Sequence, residues 1–325
     1  MQSEIRKKLI QALSKRDGGF ISGQEIADAT GTTRTAVWKH IEELRKDGYE
    51  VEAVRKKGYR LVSAPDKMSA DSIRLHMKSV KMGSNIHYYE TVASTQKIAN
   101  ELANNGAPEG TIVVADEQTA GRGRLARQWV SPKGTGIWMS LILKPDIPIY
   151  QAPQLTLLSA VAAVQGIEQA TGAKPEIKWP NDLLMNGRKV SGILTEMQAE
   201  ADGIHSVIIG IGINVNQQQS EFPVELQTIA TSLAIETGTR HSREACMAAI
   251  LAQFESLYSR YCESGFSEIK HLWEKHAISI GKVVTAVTAR ERITGTALGI
   301  TDEGVLLVKD ESGSVHRIFS ADIEI

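Results

Sequence analysis

The sequence predicts a multidomain α+β protein, and three observations support that fold class. Helical periodicity fills residues 4–46 and leads into a short pattern of paired strands. In the middle of the chain, β-branched runs alternate with longer apolar stretches, which predicts a mixed or antiparallel sheet flanked by helices. After residue 278, five glycines at turn spacing separate short β runs. A chain of 325 residues can form several domains. We expect three, at 1–65, 66–272 and 273–325.

The charges are balanced overall but unevenly distributed. Lys and Arg number 37 against 38 Asp and Glu, so no global field attracts a polyanion. Residues 1–63 contain 13 Lys and Arg against 9 Asp and Glu, whereas the remainder has 24 against 29. This asymmetry indicates an N-terminal segment that binds nucleic acid.

Cysteine content and hydropathy exclude a protein held by disulfides or a cysteine metal site, and a membrane-spanning protein. Cys246 and Cys262 have no metal-site spacing, and a chain of this length needs no disulfide, so we expect both to be reduced. No segment reaches the about 18 apolar residues of a membrane helix, and the N-terminus lacks an apolar signal sequence. We therefore expect a cytoplasmic protein without a membrane partner.

The first domain has the pattern of a helix-turn-helix. A first helix is expected over 4–14. Ser22 and Glu25 form a capping box that opens a second helix, which ends near Gly31. Thr33 can cap a third helix, so two helices are joined by a short glycine turn.

The third helix presents one face for reading DNA. Val37, Ile41 and Leu44 would face the core and turn the opposite side outward. We expect the region from Gly23 to His40 to contact base edges in a major groove. The outward candidates are Thr33, Arg34, Thr35, Trp38 and Lys39.

A hairpin with a cationic tip follows. Its strands are expected at 49–54 and 59–62, joined by Arg55, Lys56 and Lys57. Such a tip fits a wing that lies against phosphates, so the domain is predicted to be a winged helix-turn-helix. A small helical interaction domain with an ordinary charged hairpin is the alternative. The positive charge of this domain favours the wing.

The central domain is expected to begin with a linking helix over 69–80. Ser94 can cap a helix that runs to about Asn104. Residues 155–170 are apolar on nearly every side, which predicts a helix buried beneath the sheet, and an amphipathic helix is expected over 241–262. The predicted strands are 86–90, 111–116, 137–143, 177–179, 190–196 and 207–213.

The sequence of the C-terminal domain predicts a small SH3-like β-barrel. Glycines at turn spacing separate about five short strands there. The clearest strands are 283–288, 295–300, 305–309 and 315–319.

Residues 121–134, here called the arginine loop, indicate a binding site for an anion. The loop holds Arg122, Arg124 and Arg127 among glycines that let the backbone approach a ligand closely. Arginine forks suit phosphate and carboxylate, and without a ligand the loop cations should repel one another. A solvated basic loop, or an arginine–glycine segment that binds nucleic acid, would show the same pattern.

Three further motifs follow the arginine loop along the chain. The four motifs, in this order, resemble those of the biotin protein ligases. Because a helix-turn-helix precedes them, the chain resembles the bifunctional ligases that also repress the biotin operon. The motifs after the arginine loop are Lys178-Trp179-Pro180-Asn181-Asp182, Lys189-Val190-Ser191-Gly192-Ile193-Leu194-Thr195-Glu196 and Gly210-Ile211-Gly212-Ile213-Asn214.

The resemblance implies a fold, an activity and partners. The central domain should be similar to the catalytic core of class II aminoacyl-tRNA synthetases. It would use biotin, ATP and Mg²⁺ to make biotinyl-5′-AMP, and would transfer biotin to a lysine of the biotin carboxyl carrier protein. The first domain would bind operator DNA as a homodimer, with biotinyl-5′-AMP as corepressor.

The resemblance also implies roles for individual residues. Gln96 stands where the family often has Asn, and Ala126 where glycine is common. Lys189 matches a lysine that contacts the biotin carboxylate and then the acyl phosphate. The residues expected to bind biotin are Ser94, Thr95, Gln96, Gln118, Arg122, Gly123, Arg124 and Lys189. Those expected to bind the nucleotide are Arg124, Arg127, Trp129, Asn181, Gly212 and Asn214.

The chemistry of carboxylate activation explains the need for fixed cations. Two like charges about 4 Å apart repel by about 4 kcal/mol at an effective dielectric constant near 20. We therefore expect Lys189, Arg122, Lys178 and Asp182 to form the catalytic set. Asp182 can hold Mg²⁺, orient a lysine or simply start a turn. Trp129 can stack on the ligand or anchor the loop.

Two other functions fit parts of the pattern. A ligand-sensing transcription factor without ligase activity would need no ATP-binding cations. A lipoyl or octanoyl protein ligase would use the same core with a different acid.

Overall fold

The computed structural model describes residues 2–14, 19–63, 68–77, 79, 81–200, 203–288 and 290–325. The chain divides into two compact units, residues 1–77 and residues 78–325. Each unit has its own apolar core.

The first unit confirms the helix-turn-helix and its caps. The Ser22 hydroxyl accepts from the Glu25 backbone at 3.1 Å, and the Glu25 carboxylate accepts from the Ser22 backbone at 2.9 Å. The second helix ends at Gly31, whose φ of 66° favours glycine. The elements of this unit are α1 Gln2–Ser14, α2 Gly23–Thr30, α3 Arg34–Lys46, β1 Glu50–Val54, β2 Gly58–Ser63 and α4 Ala70–His76.

Helix α3 and the β1–β2 hairpin expose the residues predicted to contact DNA. Val37, Ile41 and Leu44 are buried, whereas Trp38 on the opposite side is 56% exposed. The other exposed candidates are Thr33, Arg34, Thr35, Lys39, Arg55, Lys56 and Lys57.

Helix α4 packs within the first unit. Arg6 of α1 donates to Asp71 of α4 at 2.6 Å, and Arg74 pairs with the same carboxylate. The helix expected over 69–80 is shorter than predicted and ends at His76. Residues 64–67, 78 and 80, near the expected first domain boundary, lie outside the described residues.

In the described part of the second unit, seven strands form a mixed sheet in the order β3-β4-β5-β9-β8-β7-β6. β3 and β4 are parallel, and the other neighbours are antiparallel. Strand β7 was not predicted. The strands are β3 Asn85–Val92, β4 Thr111–Gln118, β5 Gly136–Leu143, β6 Glu176–Lys178, β7 Asp182–Met185, β8 Arg188–Glu200 and β9 Gly203–Asn214.

Both faces of the central strands are covered. Every residue of β5 is buried, so this strand has no solvent face. α5 (Thr95–Asn104) packs its Ala99 on Val113, Ile142 and Ile208.

Two long helices complete the core. α6 (Ala152–Thr171) and α8 (Arg243–Ser264) pack together, and a Cβ at Gly166 would lie 2.5 Å from the Ile250 backbone. α6 is mostly buried, as its apolar pattern predicted.

The C-terminal strands form the predicted small antiparallel barrel-like sheet, in the order β13-β12-β11-β10-β14 among the residues described. The expected domain start at 273 falls within α9, whose Trp273 is fully buried. The remaining elements are α7 Leu233–Thr237, α9 Ser267–His276, β10 Val283–Val287, β11 Arg292–Ile300, β12 Leu306–Lys309, β13 Val315–Ile318 and β14 Asp322–Glu324. No helix in the described ranges is long and apolar enough to span a membrane.

Candidate active site

A cavity of about 500 Å³ lies between the sheet, the N-terminus of α5 and the arginine loop. It gathers every residue that the sequence suggested for the biotin, nucleotide and catalytic sites, although these span more than a hundred positions. They are Ser94, Thr95, Gln96, Gln118, Arg122, Gly123, Arg124, Arg127, Trp129, Lys178, Asn181, Asp182, Lys189, Gly212 and Asn214.

One end of the cavity is polar but uncharged. The backbone N–H and the hydroxyl of Thr95 both lie against Gln118 Oε1, at 2.8 and 3.1 Å. Ser140 on β5 contacts the Thr95 hydroxyl at 2.9 Å and Gln96 Oε1 at 3.0 Å. Gly210 leaves room for this cluster, because a Cβ there would lie 2.6 Å from Gln96 Oε1. This end suits a neutral ligand with hydrogen-bonding groups.

Ser94 does not have the capping role that the sequence suggested. It occupies the N-cap position of α5, but its side chain makes no capping hydrogen bond. The extended backbone at Ser94 instead leaves this buried hydroxyl on the cavity wall.

The opposite end is cationic, and Arg124 bridges two domains there. Its guanidinium donates to Asn181 Oδ1 at 3.0 Å and to Ser320 Oγ at 2.9 Å. Asn181 is itself fixed, because its amide nitrogen donates to the Ile193 carbonyl at 2.9 Å. Burial lowers the pKa of Arg124 from its usual range, against the raising effect of Asp322 and Asp182.

Arg127 is paired with a carboxylate of the C-terminal domain. It donates to both oxygens of Asp322, in one bond at 3.2 Å and in a shorter one. The hydrogen bond raises the pKa of Arg127 and lowers that of Asp322. Asp322 therefore supplies a countercharge to Arg127 without a ligand, a pairing that the sequence did not predict. Ser320 and Asp322 were not identified from sequence.

The loop also carries backbone strain beside Arg124. Leu125 and Ala126 have φ values of 55° and 56°, in the left-handed region that favours glycine. Ala126 is also the position at which the resemblance noted above favours glycine. Its conformation supplies a physical reason for glycine to be favoured at this position.

Lys189 also lines the cavity. Its ammonium pairs with Asp182 Oδ1 at 2.7 Å and lies 5.3 Å from the Trp129 ring centroid. Asp182 thus has a lysine as its partner when no ligand is bound.

Trp129 packs onto bare backbone. A Cβ at Gly212 or Gly192 would lie 2.5 or 3.0 Å from its ring atoms. The ring also meets Trp138 edge to face, with centroids 6.4 Å apart. Trp129 therefore anchors the arginine loop to the sheet, and still lines the cavity.

Residues 217–231 form a wall that the sequence patterns did not predict. Thr231 and Ile229 hydrogen-bond the backbone of Lys189, at 2.9 and 2.8 Å. Asn214 holds the same wall, donating to Thr231 O at 3.0 Å and accepting from Gln217 at 3.1 Å. The cavity-facing members are Phe222, Leu226, Ile229 and Ala230.

The cavity has an excess of positive charge. Of the described residues, five cationic side chains and two carboxylates line it. Three of those cations form the pairs or hydrogen bonds given above. Arg122 and Lys178 form no ion pair with any residue that the structure describes. They are the cations most available to an anionic ligand.

A cavity with one neutral, hydrogen-bonding end and one cationic end suits a small acid beside a nucleotide. In a chain that also contains a winged helix-turn-helix, such a site fits an ATP-using ligase joined to a DNA-binding domain.

Comparisons with known families agree with this class. The Biotin/lipoate A/B protein ligase family matches residues 88–214, an HTH domain matches residues 5–60, and the biotin protein ligase C-terminal domain matches residues 279–325. The bifunctional ligase/repressor BirA of Bacillus subtilis (strain 168) is 58% identical over 325 residues, which cover all of both chains. That of Escherichia coli (strain K12) is 28% identical over 304 residues, covering 94% of this chain and 92% of its own.

A solved structure shows the same central fold. The biotin protein ligase from Aquifex aeolicus in complex with biotin and ATP is 32% identical, with a TM-score of 0.65. The match covers 74% of this chain and 98% of that chain. The chain belongs to the bifunctional ligase/repressor family of biotin protein ligases. The fold and the family predicted from the sequence are confirmed.

Proposed function

We propose that the cavity binds biotin at its uncharged end and ATP at its cationic end, and joins them as biotinyl-5′-AMP. The observation that supports this most strongly is one cavity that is lined by uncharged hydrogen-bonding groups and by five cationic side chains, Lys189 among them. Biotin is then transferred to a lysine of the biotin carboxyl carrier protein.

The first step requires charge neutralisation rather than a general base. A biotin carboxylate is already ionised at neutral pH, so its oxygen can attack the α-phosphorus directly. The bond to the bridging oxygen breaks, and pyrophosphate leaves with the electron pair. In this proposal Lys189 contacts the carboxylate and then the acyl phosphate, while Arg122 and Lys178 stabilise the departing charge.

The second step uses the same cavity. The neutral amine of the acceptor lysine attacks the acyl carbon, the bond to the phosphate oxygen breaks, and AMP leaves. The amine loses a proton to solvent. Arg124 and Arg127 retain the adenylate until the acceptor arrives, because an arginine fork matches its phosphate.

Mg²⁺ enters with ATP as part of the substrate. The described residues contain no cluster of three or more His, Cys, Asp or Glu side chains that could hold a metal ion alone. The two cavity carboxylates, Asp182 and Asp322, are paired with Lys189 and Arg127. Mg²⁺ usually keeps phosphate and water ligands and takes only one or two carboxylates. The two carboxylates of this cavity are consistent with that coordination.

The N-terminal unit binds operator DNA in this proposal, with α3 in the major groove and the Arg55–Lys57 tip on the phosphates. The exposed face of α3 and the cationic tip support this role. Because helix-turn-helix repressors commonly read two-fold sites, we propose a homodimer that forms on ligand or DNA binding, with biotinyl-5′-AMP as corepressor. A protein that binds operator DNA and carrier protein acts in the cytoplasm.

Pyrophosphate exchange into ATP tests the ligase activity most simply. We expect exchange to depend on biotin and to be absent with lipoate or octanoate at the same concentrations. Exchange with lipoate alone would indicate a lipoyl ligase. No exchange with any acid, together with specific DNA binding, would indicate a ligand sensor.

A further inference from the structure

A ring of contacts holds the backbone of Lys189, and its centre is Glu236 of α7, whose side chain is 3% exposed. Three donors converge on this carboxylate: Arg188 Nη2 at 2.6 Å, Asn186 Nδ2 at 2.5 Å and Thr231 Oγ1 at 2.5 Å. A carboxylate buried this deeply is costly unless it is paired and hydrogen-bonded, and here both conditions are met. Glu236 is not among the described residues that line the cavity, and no sequence pattern identified it.

The ring closes through the backbone of Lys189. Arg188 precedes Lys189 in the chain, and the Thr231 N–H donates to the Lys189 carbonyl at 2.9 Å. The Lys189 N–H donates in turn to the Ile229 carbonyl at 2.8 Å. From Glu236 the contacts therefore run through Arg188 to Lys189, and then through Thr231 back to Glu236. A shift of the Lys189 backbone would break either its bonds to the wall or a bond to the buried carboxylate.

The same carboxylate fixes the turn between β7 and β8. Asn186 and Gly187 have φ values of 49° and 76°, a left-handed conformation that glycine adopts freely and asparagine tolerates. The bond from Asn186 to Glu236 holds this turn in place. Arg188 also donates through Nη1 to Gln219 Oε1 at 3.2 Å. One arginine therefore connects the turn to the start of the wall and, through Glu236, to its end.

We propose that Glu236 and Arg188 are positioning residues, which hold the Lys189 backbone so that its ammonium meets the reacting groups. The inference rests on the proposed function, in which Lys189 contacts the biotin carboxylate and then the acyl phosphate. A lysine side chain is flexible, so a fixed backbone limits the space that its ammonium searches. Catalysis by charge stabilisation depends on this placement, and a misplacement of about 1 Å can lower a rate by about a hundredfold.

A double-mutant cycle separates the positioning of Lys189 from a general structural effect. Glu236→Gln removes the charge that holds Arg188, and places an amide NH₂ where three donors converge. Arg188→Met opens the ring at its other member, in a side chain that is 31% exposed. This second variant tests the inference by itself if Glu236→Gln does not fold. Both changes are made in the wild-type chain and together with Lys189→Ala.

Asp116→Asn is the matched control. The Asp116 side chain is 8% exposed and pairs with Arg243 at 2.7 Å, so this change also replaces a buried carboxylate that binds an arginine. Asp116 is not among the described residues that line the cavity. We expect a loss of Tm comparable to that of Glu236→Gln, because each change removes one charge of a buried pair. Adenylate formation should be nearly unchanged.

The experiment measures single-turnover formation of biotinyl-5′-AMP at saturating biotin and ATP, and the Tm of each variant. In the wild-type background we expect Glu236→Gln and Arg188→Met to slow the reaction about tenfold, because the Lys189 backbone is no longer held. In the Lys189→Ala background the same changes should slow it less than about twofold, because the group that they position is absent.

Three outcomes would overturn the inference. The first is formation at the wild-type rate in both folded variants. The second is an equal loss in the two backgrounds, which would show that the effect does not act through Lys189. The third is a loss in Asp116→Asn as large as in Glu236→Gln, which would show a merely structural role. Wild-type protein without biotin-dependent exchange would instead refute the proposed function.

Discussion

At the scale of single residues, the position of the Lys189 ammonium depends on several contacts. Its backbone is paired with Ile229 and Thr231 of the wall, and its ammonium with Asp182. The wall is held in turn by Glu236, which is almost fully buried and accepts from Thr231 at 2.5 Å and from Arg188 at 2.6 Å. The position of the ammonium therefore depends on three separate segments.

Replacing this lysine tests its proposed role. In Lys189→Ala we expect adenylate formation to fall by at least tenfold, because the charge that offsets the two approaching anions is lost. The free energy of unfolding should fall by about 1–3 kcal/mol, because the variant leaves the buried Asp182 oxygen without its charged partner, and the protein should still fold. Single-turnover formation of biotinyl-5′-AMP and thermal unfolding measure the two effects.

Lys174→Ala provides the control, because Lys174 is 80% exposed and does not line the cavity. It should leave both measurements unchanged. Adenylate formation at the wild-type rate in folded Lys189→Ala protein would exclude the proposed role of this lysine.

At the scale of elements, the arginine loop and strand β14 share charges. The Arg127–Asp322 pair and the Arg124–Ser320 bond connect the loop to the C-terminal domain. The Asp322 carboxylate is therefore bound to the Arg127 guanidinium, which we propose binds a phosphate of ATP. In the proposed function, binding of ATP exchanges one anion for another at Arg127.

The substitution Asp322→Asn tests this exchange. We expect the KM of ATP to fall by up to about fivefold, because an exposed ion pair stabilises by at most about 1 kcal/mol and the variant no longer has to break it. Glu324→Gln is the matched control on the same strand, since Glu324 pairs with Arg292 away from the cavity. A higher KM for ATP in Asp322→Asn would show that Asp322 positions Arg127 for ATP instead.

The pH dependence of the pair follows from the lowered pKa of Asp322. Its usual value is 3.8, and the bond with Arg127 lowers it further. A lowered carboxyl pKa means that the stabilisation is fully present above the usual pKa and is lost as the pH falls through the lower value. Wild type and Asp322→Asn should therefore differ in Tm by a constant amount from pH 5 to 8, and converge only below about pH 4. A difference that changes near pH 6 would require another group.

At the scale of the whole molecule, local signals predicted most of the fold. The Ser22–Glu25 capping box and the left-handed Gly31 depend on neighbouring residues, so the sequence was enough to locate α2. The four ordered motifs likewise contain eleven of the fifteen suggested site residues that line one cavity, and the resemblance supplied the other four, Ser94, Thr95, Gln96 and Gln118.

The features that were missed depend on contacts between distant residues. Asp322 meets Arg127 across 195 positions, and no local pattern marks it. The wall at residues 217–231 has neither regular periodicity nor a motif, because short 3₁₀ turns and side-chain hydrogen bonds hold it. Ser140 did carry a signal, since a lone hydroxyl in an apolar strand requires a partner.

We propose that one ligand, made in the cavity, serves both the ligase and the repressor. Biotinyl-5′-AMP supplies an anion to the arginine loop, and we expect its binding to favour the dimer that binds operator DNA. A ligand shifts such an equilibrium only by its differential affinity for the two states. A typical coupling of about 1–3 kcal/mol would strengthen operator binding about 5–150-fold. Unmodified carrier protein would reverse the effect by consuming the adenylate.

Operator affinity under four conditions tests this claim most directly: no ligand, biotin alone, biotin with ATP, and biotin with α,β-methylene-ATP, which cannot release pyrophosphate. We predict that only biotin with ATP tightens operator binding, within the range given above, and that adding unmodified carrier protein reverses it. Equal affinities in all four conditions would contradict the claim, and would leave the ligase and the DNA-binding domain as independent functions of one chain.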